Sequence, residues 1–265
     1  MKLLKGVIGS VIIVASLSIQ AIAASPAEDK AIETIADQSL QFVKVDRRQE
    51  AEELLNVFSE RFLDMASQGN QYSMDEINIV TIALEDAMNA VQDTEKSNQE
   101  AVNEMTKFRL AFDAVSHDKS PLWTKMRGQI LEAVKDTREA VKNQDSVVFH
   151  EELNRLLNIY NILYPSLKID VTPEKFQQVD AHLKFIDQYR PQVFSDSSEQ
   201  KDMASLEGQL RDIFDEAEKD DTDPSLWWVI ISTGSIILMT LSYVGFRKYK
   251  AREEITFTKK KNRDI

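Results

Sequence analysis

The sequence predicts an all-α protein, an antiparallel helical bundle or a stack of helical hairpins followed by one transmembrane helix. The 265 residues include only 7 Gly and 6 Pro, which disfavours a β-sandwich or a Gly-rich phosphate loop. Between residues 24 and 225, apolar residues recur at the three- and four-residue spacing of amphipathic helices. Residues 226–246 carry no charge, and 21 residues are enough to span a bilayer core as a helix.

The first 23 residues are typical of a secretory signal peptide. Lys2 and Lys5 give a positive start, and an apolar run follows. Small residues at Ala21, Ala23 and Ala24 form an Ala-x-Ala cleavage site. We expect cleavage after Ala23 or Ala24. The alternative is an uncleaved N-terminal anchor, which the well-formed cleavage site disfavours.

Four amphipathic helices are predicted in the first half of the segment 24–225. Each has a charged opposite face, so each must bury one apolar stripe against a neighbour. Ser73 and Glu76 form a capping-box pattern at the start of the third helix. The four stripes are Ile32, Ile35, Ala36, Leu40 and Val43; Leu54, Leu55, Phe58, Phe62 and Met65; Ile77, Val80, Leu84, Met88 and Val91; and Val102, Met105, Phe108, Phe112 and Val115.

Four more helices are predicted in the second half. Ser120 and Pro121 are expected to start the fifth, as N-cap and first helical residue. The sixth begins near Asp145 and is expected to stop before Pro165, because proline disfavours the helical conformation of the residue before it. Pro173 starts the seventh. No signature of a known helical repeat occurs. The stripes are Leu122, Met126, Ile130, Val134 and Val141; Val148, Leu153, Leu156, Leu157, Tyr160, Leu163 and Tyr164; Phe176, Val179, Leu183 and Ile186; and Met203, Leu206, Leu210, Ile213 and Phe214.

Charge sets the predicted topology. The tail 247–265 has 8 basic and 3 acidic residues, whereas an acidic neck precedes the apolar segment. Basic residues flanking a span stay on the cytoplasmic side. The tail is therefore predicted to be cytoplasmic and residues 24–225 to lie outside the cytoplasm. The residues expected at the membrane interfaces are Trp227, Trp228, Arg247, Lys248 and Lys250.

The segment 24–225 is strongly acidic, with 22 basic and 41 acidic residues and a formal net charge of −19. Such a surface repels nucleic acid, so no nucleic-acid partner is predicted. The first expectation is that this charge serves solubility. The alternative is that it attracts cations or basic partners.

No catalytic, metal or cofactor site is predicted. The chain has no Cys, which excludes thiolate sites and Cys nucleophiles. His117, His150 and His182 fall on different predicted helices or helix ends, whereas zinc needs three or four converging ligands. Phosphate-loop, dinucleotide and serine-nucleophile motifs do not occur. The protein is therefore predicted not to be an enzyme. Trp123 is expected to pack in or beside the core; its alternative role is a partner anchor.

The plan of the chain resembles a known family. Three stretches prompt the comparison: residues 50–62 (EAEELLNVFSERF), 123–130 (WTKMRGQI) and 164–176 (YPSLKIDVTPEKF). Together with the signal peptide, acidic helical ectodomain, single span and basic tail, they are similar to the YpjB sporulation proteins of endospore-forming bacilli. The resemblance implies a role in sporulation and in the mother cell. It brings no catalytic residues. It places the ectodomain in the space between the two membranes around the forespore.

Two functions follow as hypotheses. The first is a single-pass, non-enzymatic sporulation protein of the cell membrane whose ectodomain binds or organises a protein partner in the sporulation envelope. The second is an extracytoplasmic sensor or ligand-binding module that signals through its transmembrane helix, since helical bundles can hold small molecules between their helices.

Overall fold

A computed structural model describes residues 26–68, 72–117, 120–195 and 199–220, together with Ser235 and Leu241. Within these residues the chain contains helices and no strand, which confirms the predicted all-α class. The helices are α1 (Pro26–Lys44), α2 (Arg48–Gln68), α3 (Met74–Gln92), α4 (Asn98–Ser116), a 3₁₀ helix (Leu122–Met126), α5 (Arg127–Lys142), α6 (Ser146–Asp170), α7 (Pro173–Gln188), α8 (Arg190–Ser195) and α9 (Glu199–Asp220).

No helix in the described part of the chain has both the length and the apolar character needed to cross a membrane. The predicted span 226–246 lies outside the described residues, apart from Ser235 and Leu241. The predicted signal peptide and the tail 247–265 also lie outside them. All three stay predictions.

The chain divides into two units at residues 116 and 117. In unit 1, α1 packs on α2 and α4, and α3 packs on the same two helices. The connections between successive helices have only three to five residues, so consecutive helices run antiparallel. Unit 1 is therefore a four-helix bundle in which α4 returns to the side of α1.

Aromatic rings fill the centre of unit 1. Phe58 of α2 meets Phe108 and Phe112 of α4 edge to face, with both ring centroids 4.8 Å away. Phe62 stacks on Phe58 at 5.7 Å and contacts Tyr72 at the same distance. The four phenylalanines are almost fully buried. They come from the predicted stripes of the second and fourth helices, which confirms that these faces point inward.

Unit 2 has the same arrangement of long helices. α5 packs on α6 and α9, and α7 packs on α6 and α9. The short α8 joins α7 to α9 and contacts both of them as well as α5. The 3₁₀ helix packs on α5, α6 and α9. The largest fully buried side chains of this unit are Trp123, Phe149, Phe214, Ile130 and Leu153.

The prediction that the sixth helix stops before Pro165 is wrong, because α6 continues to Asp170 with Pro165 inside it. A proline within a helix removes one N–H and clashes with the preceding turn, at a cost of about 3 kcal/mol. Here Pro165, Ser166 and Leu167 are all buried. Burial of the residues after the proline offsets that local cost, so packing overrides propensity.

Helix starts were predicted with mixed success. The capping box is confirmed: Glu76 N–H donates to Ser73 Oγ at 3.2 Å, and Ser73 N–H donates to the Glu76 carboxylate at 2.6 Å. Asp145 caps α6 by accepting from Val148 N–H at 3.1 Å. Ser120, however, is not an N-cap. It has a φ of 56°, and Pro121 instead precedes a 3₁₀ helix, so α5 begins only at Arg127.

The two units repeat one hairpin turn 98 positions apart. Asp46 after α1 and Gln144 after α5 both have positive φ, 58° and 57°. Asp46 N–H donates to Val43 O and Arg47 N–H to Phe42 O, at 3.0 and 2.8 Å. The corresponding donors in unit 2 bond Val141 O and Ala140 O at 3.1 and 3.0 Å. Both turns are Schellman motifs, which satisfy the last carbonyls of a helix.

The pattern of buried residues repeats with the turn. In each hairpin a fully buried hydroxyl, that of Ser39 or Thr137, donates to the carbonyl four residues earlier. The buried positions recur, and six of nine further pairs carry the same residue in both units. Other matched buried positions are Ile32 and Ile130, Val43 and Val141, Leu55 and Leu153, Phe58 and Leu156, Val80 and Val179, Leu84 and Leu183, Met105 and Met203, Phe108 and Leu206, and Phe112 and Leu210.

Gln144→Gly is expected to stabilise the protein by about 0.5–1 kcal/mol. An ordinary residue in the left-handed conformation costs roughly 1–2 kcal/mol, and glycine returns only part of this through its greater freedom in the unfolded chain. The measurement is the free energy of unfolding of the full chain in denaturant. Asn143→Gly is the matched control. Asn143 has a φ of −82°, so glycine there relieves no strain and should destabilise.

Candidate functional site

A cleft of about 210 Å³ opens at one end of unit 2. The start of the 3₁₀ helix, the end of α6, the start of α7 and the last turns of α9 form its walls. We call it the Trp123 cleft. Its lining residues are Ser120, Pro121, Trp123, Asp170, Val171, Thr172, Ile213, Glu216 and Ala217.

Trp123 is part of the core beneath this cleft. It is 1% exposed and packs against Phe214, with ring centroids 5.0 Å apart. Its indole N–H donates to Asp170 Oδ2 at 2.6 Å, which satisfies the one polar group of the buried ring. The expectation of a packing role agrees with this burial. The role of partner anchor stays a prediction, and it would act through the cleft that Trp123 lines.

Ion pairs hold the last turns of α9 beside the cleft. Arg127 bonds both Asp215 and Glu218, the latter at 2.9 Å. Its hydrogen bond to Asp215 raises the pKa of the Arg127 guanidinium. Lys175 of α7 pairs with Glu216. These contacts tie the end of α9 to α5 and α7. The ion pairs therefore hold in place the α9 wall of the cleft, which includes the apolar side chains of Ile213 and Ala217.

A second surface lies along α7 and α9, which pack together in unit 2. His182 of α7 contacts Gln209 of α9 at 3.2 Å, which marks the side of α7 that borders α9. Phe185 and Tyr189 lie three and seven residues further on, and so on the same side. Their rings are 4.9 Å apart, and they are 37% and 40% exposed. We call this surface the α7–α9 seam.

The sequence-based reading missed the α7–α9 seam. Phe185 and Tyr189 fall outside the apolar stripe predicted for the seventh helix, which is confirmed as buried: Phe176, Val179, Leu183 and Ile186. Their position outside the buried stripe was the sequence signal that could have revealed this surface. Two aromatic residues four positions apart, off the buried stripe, indicate an exposed apolar contact surface.

Tyr160 occupies a buried position between α6 and α7. Its hydroxyl donates to Asp180 Oδ1 at 3.2 Å, and Lys184 donates to the other oxygen at 2.7 Å. Burial raises the pKa of the Tyr160 hydroxyl, and the charge of Asp180 and the hydrogen bond raise it further. The phenol therefore stays neutral in the folded protein at pH values where an unfolded tyrosine ionises.

Tyr160→Phe is expected to reduce the alkaline sensitivity of the fold. An unfolded tyrosine loses its proton near pH 10, whereas folded Tyr160 keeps its own, so its contribution to stability is full below pH 10 and is lost as the pH rises further. The measurement compares free energies of unfolding at pH 8 and 10.5. The variant should lose less stability than the parent over this interval. Tyr189→Phe, at an exposed site, should behave like the parent. An equal loss in Tyr160→Phe would contradict the account.

The three histidines do not converge. His150 is exposed, and its Nδ1 lies 2.7 Å from Ser146 O. His182 is bonded to Gln209, and His117 is exposed and directly follows the last residue of α4. Among the residues that the structure describes, no three His, Asp or Glu side chains are grouped so as to hold a metal ion.

Several predicted sites fall outside the described residues. These are the cleavage-site residues Ala21, Ala23 and Ala24, and the membrane-interface residues Trp227, Trp228, Arg247, Lys248 and Lys250. Their roles stay predictions.

Comparison with known proteins places the helical units in a family. The family described as Sporulation protein YpjB (SpoYpjB) matches residues 30–259. The chain belongs to the YpjB sporulation family. The resemblance found in the sequence is thereby confirmed. A YpjB relative, "Uncharacterized protein YpjB" of Bacillus subtilis (strain 168), is 34% identical over 235 residues, which cover 87% of this chain and 89% of the relative. No solved structure matches the chain.

Membership of the YpjB family supports a role in sporulation. The matched residues include both helical units and extend through the predicted span 226–246 into the basic tail. The family therefore describes nearly the whole chain rather than one of its units.

Proposed function

We propose that this protein is a single-pass membrane protein of the sporulation envelope whose helical ectodomain binds or organises protein partners. Membership of a sporulation family carries the proposal. The uncharged segment 226–246 and the basic tail that follows it support the membrane attachment and its orientation. The mother-cell-derived membrane around the forespore is the proposed location.

The protein is proposed to act by binding rather than by catalysis. His150 contacts Ser146 O and His182 contacts Gln209, and several carboxylates of unit 2 form ion pairs with basic side chains, such as Arg127–Asp215 and Lys175–Glu216. The Trp123 cleft is small, and its Asp170 accepts from a buried indole. What the units offer instead is helical surface with exposed apolar side chains, such as Ile82 and Val147.

Site-specific photo-crosslinking in sporulating cells tests this function. A photoreactive residue is placed in the full chain at exposed Ile82 of unit 1 or exposed Val147 of unit 2. We expect discrete adducts with envelope proteins, formed during sporulation only. The parent chain without the photoreactive residue, irradiated in the same way, controls for nonspecific labelling. Absence of any specific adduct from both surface positions would contradict partner binding.

The Trp123 cleft favours a second candidate, a ligand-binding module that signals through the membrane. The cleft lies against the last turns of α9, and α9 ends six residues before the apolar segment 226–246 begins. A ligand in the cleft could therefore bias the end of the helix that leads to the membrane. Screening metals and small metabolites for a rise in the melting temperature of the full chain tests this candidate, because a ligand that binds only the folded state stabilises it. No rise with any compound would count against it.

A further inference from the structure

The α7–α9 seam contains a ridge and a notch side by side. The exposed rings of Phe185 and Tyr189 form the ridge. Ser205 and Gly208, both exposed on α9, form the notch. A Cβ built on Gly208 would meet no atom within 4 Å. Glycine inside a helix costs about 1 kcal/mol relative to alanine, and nothing within the unit requires it here.

The register of the two helices brings ridge and notch to one level. His182 lies beside Gln209, and Lys175 pairs with Glu216. Because residue numbers fall along α7 as they rise along α9, the helices are antiparallel. Three residues on from His182, Phe185 therefore lies level with Leu206, next to Ser205.

In unit 1, an ion pair joins the two helices that correspond to α7 and α9. Lys107 of α4 donates to Asp86 of α3 at 2.8 Å and to Glu104 at 3.0 Å. By the matched burial positions of the two units, Asp86 corresponds to Phe185 and Lys107 to Ser205. An ion pair in one unit is thus replaced by an exposed aromatic ring and a small hydroxyl in the other.

One part of the α7–α9 seam is neutral within an acidic protein. The described exposed residues around Phe185 and Ser205 carry no charge: Ala181, Phe185, Gln188, Tyr189, Ser205 and Gly208. Charge is present further along the seam, at exposed Asp212 and at the Lys175–Glu216 pair. The segment 24–225 has a net charge of −19, so two copies repel across most of their surfaces. They can approach where charge is absent. The centres of protein interfaces are likewise depleted of charge and enriched in aromatic residues.

We propose that the α7–α9 seam is the face through which two copies of this chain associate. A two-fold interface places the same patch on both partners, so the patch must be self-complementary. A ridge and a notch at one level meet this condition: Phe185 of each copy packs over Gly208 of the other. A two-fold axis along the helices also leaves both α9 ends on the same side. The inference goes beyond the proposed function, since self-association does not depend on any envelope partner.

Cysteine cross-linking of the full chain in its native membrane tests the dimer. The chain has no Cys, so Ser205→Cys introduces a single thiol beside the notch. A short bis-maleimide should join two copies into an adduct of twice the mass. Asn158→Cys, exposed on α6, is the control and should give no such adduct. Absence of the adduct at position 205, or an adduct there with a different protein in its place, would overturn the proposal.

Gly208 and Gly128 both have open space where a side chain would lie. Substitutions at these two positions therefore form a matched pair. In the Ser205→Cys background, Gly208→Gln fills the notch and should lower the yield of the adduct about tenfold, as expected when a fitted contact is overpacked. Gly128→Gln, where a Cβ also meets no atom within 4 Å, should leave the yield unchanged. Both variants should keep or raise the melting temperature, because both remove a helical glycine. Equal yields from the two variants would also overturn the proposal.

Discussion

Phe58→Ala is expected to lower the free energy of unfolding of unit 1 by about 3–5 kcal/mol. Phe58 has no exposed surface, and its ring contacts those of Phe62, Phe108 and Phe112 within 6 Å. Truncation removes buried apolar surface and leaves a cavity that the surrounding rings fill only in part. It also removes two edge-to-face contacts, which add to the effect of burial alone.

Hydrogen exchange of the full chain measures this loss of unfolding free energy in α2, the helix that contains Phe58. Exchange of the α2 amides, residues 48–68, should accelerate by a factor that corresponds to the lost free energy. Val57→Ala is the control on the same helix. Val57 is 38% exposed, so its truncation should cost less than about 1 kcal/mol. Similar effects of the two substitutions would show that the aromatic cluster is not the core of unit 1.

Arg109→Met is expected to destabilise unit 1 by about 3–5 kcal/mol. Arg109 and Asp113 are 6% and 3% exposed, and their charged atoms approach to 3.3 Å. Arg109 also bonds Asp37 of α1 at 2.6 Å, so it ties two helices together. Removing the guanidinium leaves the Asp113 carboxylate buried without this cation, and an incompletely compensated buried charge is costly.

The double variant Arg109→Met/Asp113→Leu distinguishes lost charge pairing from lost packing. Replacing both members of a buried pair by apolar groups is often nearly neutral, so the double variant should recover most of the stability in chemical denaturation. The exposed pair Arg47–Glu50, at 2.7 Å, provides the comparison. Arg47→Met should cost less than about 1 kcal/mol. A double variant as unstable as Arg109→Met would contradict the explanation.

The helical class and most helix faces could be predicted because they depend on local periodicity. The buried stripe of α1, from Ile32 to Val43, follows directly from three- and four-residue spacing. The capping box of α3 was readable because Ser73 and Glu76 act within one turn. Such signals need no knowledge of the rest of the molecule.

Features that depend on packing across the chain were not predictable. The turns at Asp46 and Gln144 lack the glycine that normally marks a Schellman motif. Pro165 lies inside a helix because the residues after it are buried. The recurrence between the units could not be read from a local pattern, because it joins residues 98 or 99 positions apart, such as Leu55 and Leu153.

The candidate sites also combine features that local sequence predicts with features that depend on packing across the chain. Trp123 stood out in the sequence as a tryptophan distant from the predicted span, and its packing role could be stated in advance. The cleft that it lines requires four chain segments to meet, which no local pattern reveals. The α7–α9 seam depends on the pairing of two helices. Phe185 by itself indicated only an aromatic residue outside its stripe.

Time-lapse imaging of a C-terminal fluorescent fusion, expressed at its native level through growth and sporulation, tests the central claim most directly. A membrane-tethered protein of the sporulation envelope should appear only in sporulating cells and should trace the membrane that engulfs the forespore. Uniform membrane fluorescence in growing cells, or fluorescence that never associates with a membrane, would contradict the proposed function.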